Sequence, residues 1–147
     1  IEMPPHGLVT EDEDILFGGR LGNRMRQGVP PEFQGLVYDY DRVRLRSQAP
    51  DYVAGLPSQT IAGIMPRWDN TARRGTSAHV AWGANPARFE RWLSDLRRTR
   101  VAGSYRQEIM INAWNEWAEK AVLEPDKRYG HGFLAALRRA TNPSQDR

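Results

Sequence analysis

Ile109-Met110-Ile111-Asn112-Ala113-Trp114-Asn115-Glu116-Trp117-Ala118-Glu119 joins an apolar run to a cluster of two carboxylates, two tryptophans and two asparagines. The run from Glu108 to Ala113 predicts a buried strand. Near-continuous apolar strands belong to parallel sheets, which are covered on both faces. Such folds place their sites at the carboxyl ends of the strands. A sugar-processing site needs acid/base groups, flat faces for pyranose rings and amides for hydroxyls, and this stretch supplies all three. Two more polar-aromatic clusters end short apolar runs: Tyr38-Asp39-Tyr40-Asp41 after Leu36-Val37, and Arg67-Trp68-Asp69-Asn70-Thr71 after Thr60 to Met65. Pro66 stops that last strand, since proline cannot donate to a ladder.

Outward from these strands, the clearest helix follows Asn85. Asn85 caps it, Pro86 takes the first position, and Phe89, Trp92, Leu93 and Leu96 repeat at helical spacing to near Arg100. A last helix, Gly132 to Ala140, buries Phe133, Leu134 and Leu137, and residues 141–147 form a flexible tail. Asp41 to Ala49 reads as either strand or helix. Ile1 to His6 reads as a strand end entering a Pro-Pro loop, and residues 7–32 as irregular, broken at Gly18-Gly19, Gly22 and Pro30-Pro31. This order predicts an α/β protein with a parallel sheet. A (β/α)8 barrel needs about 250 residues, so a chain of about four strands corresponds to roughly half of one. An opening without Met, inside an apparent strand, agrees with a partial domain spanning 1–147. Any targeting signal could have been lost with the missing part.

Composition narrows the function. With 39% hydrophobic and 27% charged residues, the chain is too apolar for disorder. No apolar run reaches the ~20 residues of a membrane span. The absence of cysteine excludes disulfides, thiolate-bound metals and a thiol nucleophile, and is compatible with a reducing cytoplasm. His6, His79 and His131 lack metal-ligand spacing, so no metal is expected. Acidic residues gather at Glu11-Asp12-Glu13-Asp14. Basic ones spread over Arg20, Arg24, Arg26, Arg42, Arg44, Arg46, Arg97, Arg98 and Arg100. That scatter reads as a solvated surface rather than a nucleic-acid face. Anionic sugars, sugar phosphates or a membrane-linked glycan carrier stay open as partners. Location in the cytoplasm, or at the membrane's edge, is the expectation.

The clusters resemble those of the bacterial WbsX-type glycosyltransferases of polysaccharide and lipopolysaccharide biosynthesis, which are themselves similar to glycoside hydrolase family 99. The matching pieces are Glu2-Met3-Pro4-Pro5-His6, Gly35 to Tyr40, Pro66 to Arg73, Ile111 to Glu119, Leu123-Glu124-Pro125-Asp126 and Tyr129-Gly130. The resemblance implies the C-terminal half of a (β/α)8 barrel. It also implies that Glu119 is a general acid/base and Glu116 the base assisting attack by the sugar's own 2-hydroxyl. Lys120 stands where the family pattern usually has glycine. If that position needs φ > 0, lysine strains the loop or redirects it, and it brings a cation near both carboxylates.

Such chemistry needs one carboxyl protonated and one ionised. Retaining enzymes hold the pair about 5–5.5 Å apart. Residues i and i+3 share a face on a turn or short helix but not in a continued strand. Trp114 and Trp117 are candidate sugar platforms, while Trp68 is platform or core. Asn112 and Asn115 offer amides to hydroxyls. Asp69 and Asn70 bind hydroxyls or cap the next segment. Arg73 grips an anion or is plain surface charge. Tyr38 and Asp39 line the pocket floor, with Asp41 turned to solvent. His6 bonds a ligand or packs a loop, and Glu124 fixes a loop or is a third acid. No cofactor is expected, apart from a nucleotide sugar as donor in a transferase. Asp39-Tyr40-Asp41 spells a metal-nucleotide motif but suits a strand end better. The partner is an oligosaccharide or polysaccharide, and exposed half-barrel edges favour a dimer. The competing reading is a non-catalytic glycan-binding or scaffold domain.

Overall fold

The computed structural model describes residues 1–9, 15–18, 22–23 and 28–142. The acidic run Glu11–Asp14, Arg20, Arg24 and Arg26, and tail residues 143–147 lie outside these. The elements in order are β1 (Ile15–Gly18), β2 (Gly22–Asn23), β3 (Leu36–Asp39), α1 (Tyr40–Arg46), α2 (Pro50–Ala54), β4 (Ala62–Ile64) and α3 (Thr71–Arg74). Then come β5 (His79–Trp82), α4 (Pro86–Thr99), β6 (Ile109–Ile111), β7 (Asn115–Glu116), β8 (Ala121–Val122) and α5 (Gly132–Thr141).

The fold is mixed α/β with small sheets. One sheet runs β2-β1-β3-β5, where β1 is antiparallel to both neighbours and β3 is parallel to β5, Leu36 facing His79 and Asp39 facing Trp82. A second pair, β4 and β6, is parallel, with Ile64 opposite Ile111. The expected single parallel sheet is thus two parallel pairs. The other edge of β5 is taken by the chain leaving β4: Ala81 N–H donates to the Trp68 carbonyl (2.8 Å) and Asn70 N–H to that of His79 (3.3 Å).

Helix α4 follows its sequence pattern. Asn85 Oδ1 accepts from Arg88 N–H at 3.0 Å, and Phe89, Trp92, Leu93 and Leu96 are all buried. Each such side chain contributes about 1.5–3 kcal/mol by leaving water. Tyr40 meets Trp92 edge-on at 5.3 Å and donates to the Met65 carbonyl at 2.7 Å, which ties α1 to the end of β4. The segment read as either strand or helix forms helix α1 as far as Arg46, where Tyr40 and Val43 bury one face while Leu45 stays 51% exposed.

Several expectations change. Ile1 to His6 is not a strand but a turn, joined to the fold through Glu2 N–H on the Ile61 carbonyl (3.0 Å). Residues 7–32 contain β1 and β2. Strand β6 is half-buried, with Met110 39% exposed, since among the described strands it bonds to β4 alone. In α5 the buried residues are Phe133, Ala136 and Ala140, and Leu134 and Leu137 lie at the margin of that face. Thr141, expected in the tail, closes α5 through its hydroxyl on the Leu137 carbonyl at 2.8 Å. Among the described residues no helix is long and apolar enough to cross a membrane.

Candidate functional site

The segment Arg67 to Asn70 connects the strand-end clusters. On one side it lies along β5. On the other, Asp69 N–H donates to the Glu119 carbonyl and Arg67 Nε to that of Lys120, both at 2.8 Å. Glu116 and Glu119 sit on a hairpin, with Asn115 of β7 facing Val122 of β8. Strand β7 ends at Glu116 and a 3-10 turn, Trp117–Glu119, follows, so strand alternation does not extend across the pair.

Lys120 closes that turn in the left-handed region, φ 50 and ψ 20. The position does take positive φ, and lysine adopts it. Its ammonium pairs with Asp69 Oδ2 at 2.5 Å and forms no ion pair with either glutamate among the described residues. Burial raises the Asp69 pKa, but hydrogen bonds from Lys120 and Thr71 outweigh it and hold the carboxyl below its ordinary range.

Glu119 Oε1 pairs with Arg73 Nη1 at 2.9 Å. Glu116 is half-buried, and its carboxylate has no hydrogen bond or ion pair among the described residues. Trp114 and Trp117 are 52% and 50% exposed, and Trp117 Nε1 donates to Glu124 Oε2 at 2.7 Å. Glu124 therefore orients an indole. Tyr38 is buried with its hydroxyl unpartnered, and burial first, then the charges of Asp69 and Glu119, push its pKa well above the ordinary phenol value.

Other residues serve the frame. Trp68 is 3% exposed with His6 edge-on to it at 5.7 Å, so its face is core and not a platform. Asp39 Oδ1 caps α1, accepting from Asp41 N–H (2.7 Å) and Arg42 N–H (3.2 Å). Asp41 does not turn to solvent, since Arg44 and Arg88 each reach it at 3.2 Å. Asn70 Oδ1 accepts from His79 N–H (2.7 Å), and Asn112 Nδ2 donates to the Pro4 carbonyl (3.0 Å).

A cleft of about 340 Å³ opens beside this assembly, at the carboxyl end of β5. Trp68 and Asp69 line it together with Arg67, Trp82, Lys120 and Arg128, while Glu116 and Glu119 do not. Trp82, 53% exposed, is the residue that sequence reading missed. Its only signal is an aromatic before Gly83, after a run too short and too mixed to read as a strand. Among the described residues no three His, Asp or Glu gather as a metal site.

Two relatives are uncharacterized proteins WxcX, from Xanthomonas campestris pv. campestris strains B100 and ATCC 33913. Each is 39% identical over 151 residues, covering 99% of this chain. The chain spans 20% of the length of either relative. No solved structure matches it. The family described as Glycosyltransferase WbsX matches residues 8–137, a range that holds the three strand-end clusters and leaves out Glu2 to His6. The chain belongs to the Glycosyltransferase WbsX family.

Proposed function

We propose that this chain is one partial domain, the C-terminal half of a (β/α)8 barrel, in a protein that transfers or cleaves glycosyl units during surface polysaccharide assembly. The work takes place in the cytoplasm or at the membrane's edge. Glu119 acts as general acid/base and Glu116 as the base assisting the 2-hydroxyl. Both reactions develop positive charge at the anomeric carbon, so one pair of carboxylates serves either, with a nucleotide sugar as donor in a transferase. The observation that carries this reading is the hairpin itself. It holds an unpaired, half-buried Glu116 between two half-exposed tryptophans, three residues from Glu119. The Arg73 pair on Glu119 is exposed on the arginine side, and such pairs contribute about 0.2–1 kcal/mol, small enough to yield to a substrate.

The test is turnover of α-mannoside and α-rhamnoside oligosaccharides by the intact protein, with and without nucleotide sugars. Glu116→Gln and Glu119→Gln are each expected to lower the rate about 10²–10⁴-fold, the usual worth of general acid–base catalysis. An active wild type that tolerates either change sinks the assignment, and nucleotide dependence separates transferase from hydrolase.

A second reading, a non-catalytic glycan-binding or scaffold domain, draws on the engagement of Glu119 by Arg73 and of Asp69 by Lys120. It predicts glycan binding without turnover.

A further inference from the structure

The cleft at the end of β5 has a composition that the proposed chemistry does not use. We propose that it binds an anionic sugar, the ring lying on Trp82 and the carboxylate or phosphate meeting Arg128. This rests on the reading of the site as a glycan site and names the charge of what it takes.

Trp82 is the last residue of β5 and offers half of its surface to solvent. Gly83 follows at φ +85 and turns the chain away, and Arg88 Nη1 lies 2.1 Å from where a Cβ would stand. That space is taken by the Arg88 guanidinium, which donates to the Gly83 carbonyl at 3.2 Å. The volume, about 340 Å³, lies at the low end for ligand pockets, roughly 300–1,000 Å³, and suits one or two sugar rings.

Charge sets the ligand class. The charged lining residues are Arg67, Asp69, Lys120 and Arg128. Arg67 is neutralised by Asp126 at 2.7 Å and Lys120 by Asp69 at 2.5 Å. The Arg128 guanidinium stacks on the Tyr129 ring at 5.1 Å and has no carboxylate partner among the described residues. The loop that carries it is held in place, because Arg128 N–H and Tyr129 N–H both donate to Asp126 Oδ1 at 2.7 Å. One uncompensated, positioned guanidinium beside an exposed indole recognises a ring bearing a single anion. The planar fork pairs equally well with a carboxylate, as in a uronic acid, or with a phosphate ester.

The test is calorimetric binding to the intact protein at fixed ionic strength. The probes are a glucuronate-ended disaccharide, glucose 1-phosphate, the uncharged disaccharide of the same linkage, and inorganic phosphate. At least one anionic sugar should bind about tenfold or more tightly than the uncharged one, the worth of a charged hydrogen bond. Whichever anionic sugar binds more tightly identifies the anion. Arg128→Gln should erase the preference while leaving the uncharged disaccharide unchanged. Trp82→Ala should weaken all three sugars. Both side chains are exposed, and circular dichroism of each variant checks that the fold is intact. Equal affinity for charged and uncharged sugars, a preference that survives Arg128→Gln, or inorganic phosphate binding as tightly as the sugar phosphate overturns the inference and leaves the glycan reading standing. Failure to bind any saccharide overturns both.

Discussion

Lys120 exemplifies how a single residue sets the chemistry around it. It stands at φ 50 where a glycine would be at ease, and its ammonium is the first of the hydrogen-bond donors that, with Thr71, hold the Asp69 pKa below its ordinary value. The sign of the pH effect follows. Because Asp69 titrates below its ordinary 3.8 in the folded protein, its stabilisation is present above that value and is lost as pH falls through the lower folded pKa. Lys120→Met removes the partner but not the burial. Asp69 should then titrate higher, and the acid limb of the unfolding curve should move to higher pH. Side-chain carboxyl NMR together with urea unfolding against pH reads both, and an unmoved Asp69 titration would refute the assignment. Residue identities were legible where a side chain acts on its own neighbours, as with the Asn85 cap. Trp68 was not, because platform and core differ only in what packs around the ring, and that is decided by a core drawn from distant parts of the chain, from Leu8 to Ala140.

Among the elements, β4 shows why spacing alone underdetermines a strand. Its neighbours are β6 on one side and the first residues of the chain on the other, and Gly63 is where they approach. A Cβ at Gly63 would stand 2.3 Å from the Glu2 carbonyl oxygen, a backbone atom that cannot rotate away. Gly63→Ala is therefore expected to destabilise the fold by about 1–3 kcal/mol, the usual range for overpacking. A midpoint shift in urea at constant slope measures it, and a neutral result would mean that Glu2 does not lie there. Helix α4 was legible throughout because one apolar stripe, one cap and one proline agree. Strands β1 and β5 were not, because Ile15–Gly18 lies in a glycine-broken stretch and His79–Trp82 opens on a polar residue, so neither gives a plain apolar run.

At the scale of the molecule, the buried carboxylate of Glu2 joins three segments that are distant in the chain. It accepts from Tyr52 Oη at 2.8 Å, from Arg100 Nη1 at 3.0 Å and from Gly63 N–H at 3.0 Å. Glu2→Ala strands a buried guanidinium and should cost about 3–5 kcal/mol of unfolding free energy, measured by denaturant titration. Retention of wild-type stability would show that the pair is not formed. Strand β6 offers the opposite case, an edge that bonds to β4 alone among the described strands and carries an exposed Met110. The 147-residue chain is expected to self-associate along that edge, and Met110→Lys to shift it towards monomer in sedimentation velocity, since an edge lysine opposes strand pairing. Dimer unaffected by the change would place the contact elsewhere. The sequence by itself determined the α/β class, the α4 and α5 helices, three of the parallel strands and the clusters at their ends, because periodicity, caps and breakers act within a few residues. The tertiary structure alone decided that the strands form two small parallel pairs, that Lys120 turns to Asp69, and that Trp82 and Arg128 share a cleft. Those outcomes depend on which distant backbone groups and charges find each other, and no local pattern records that.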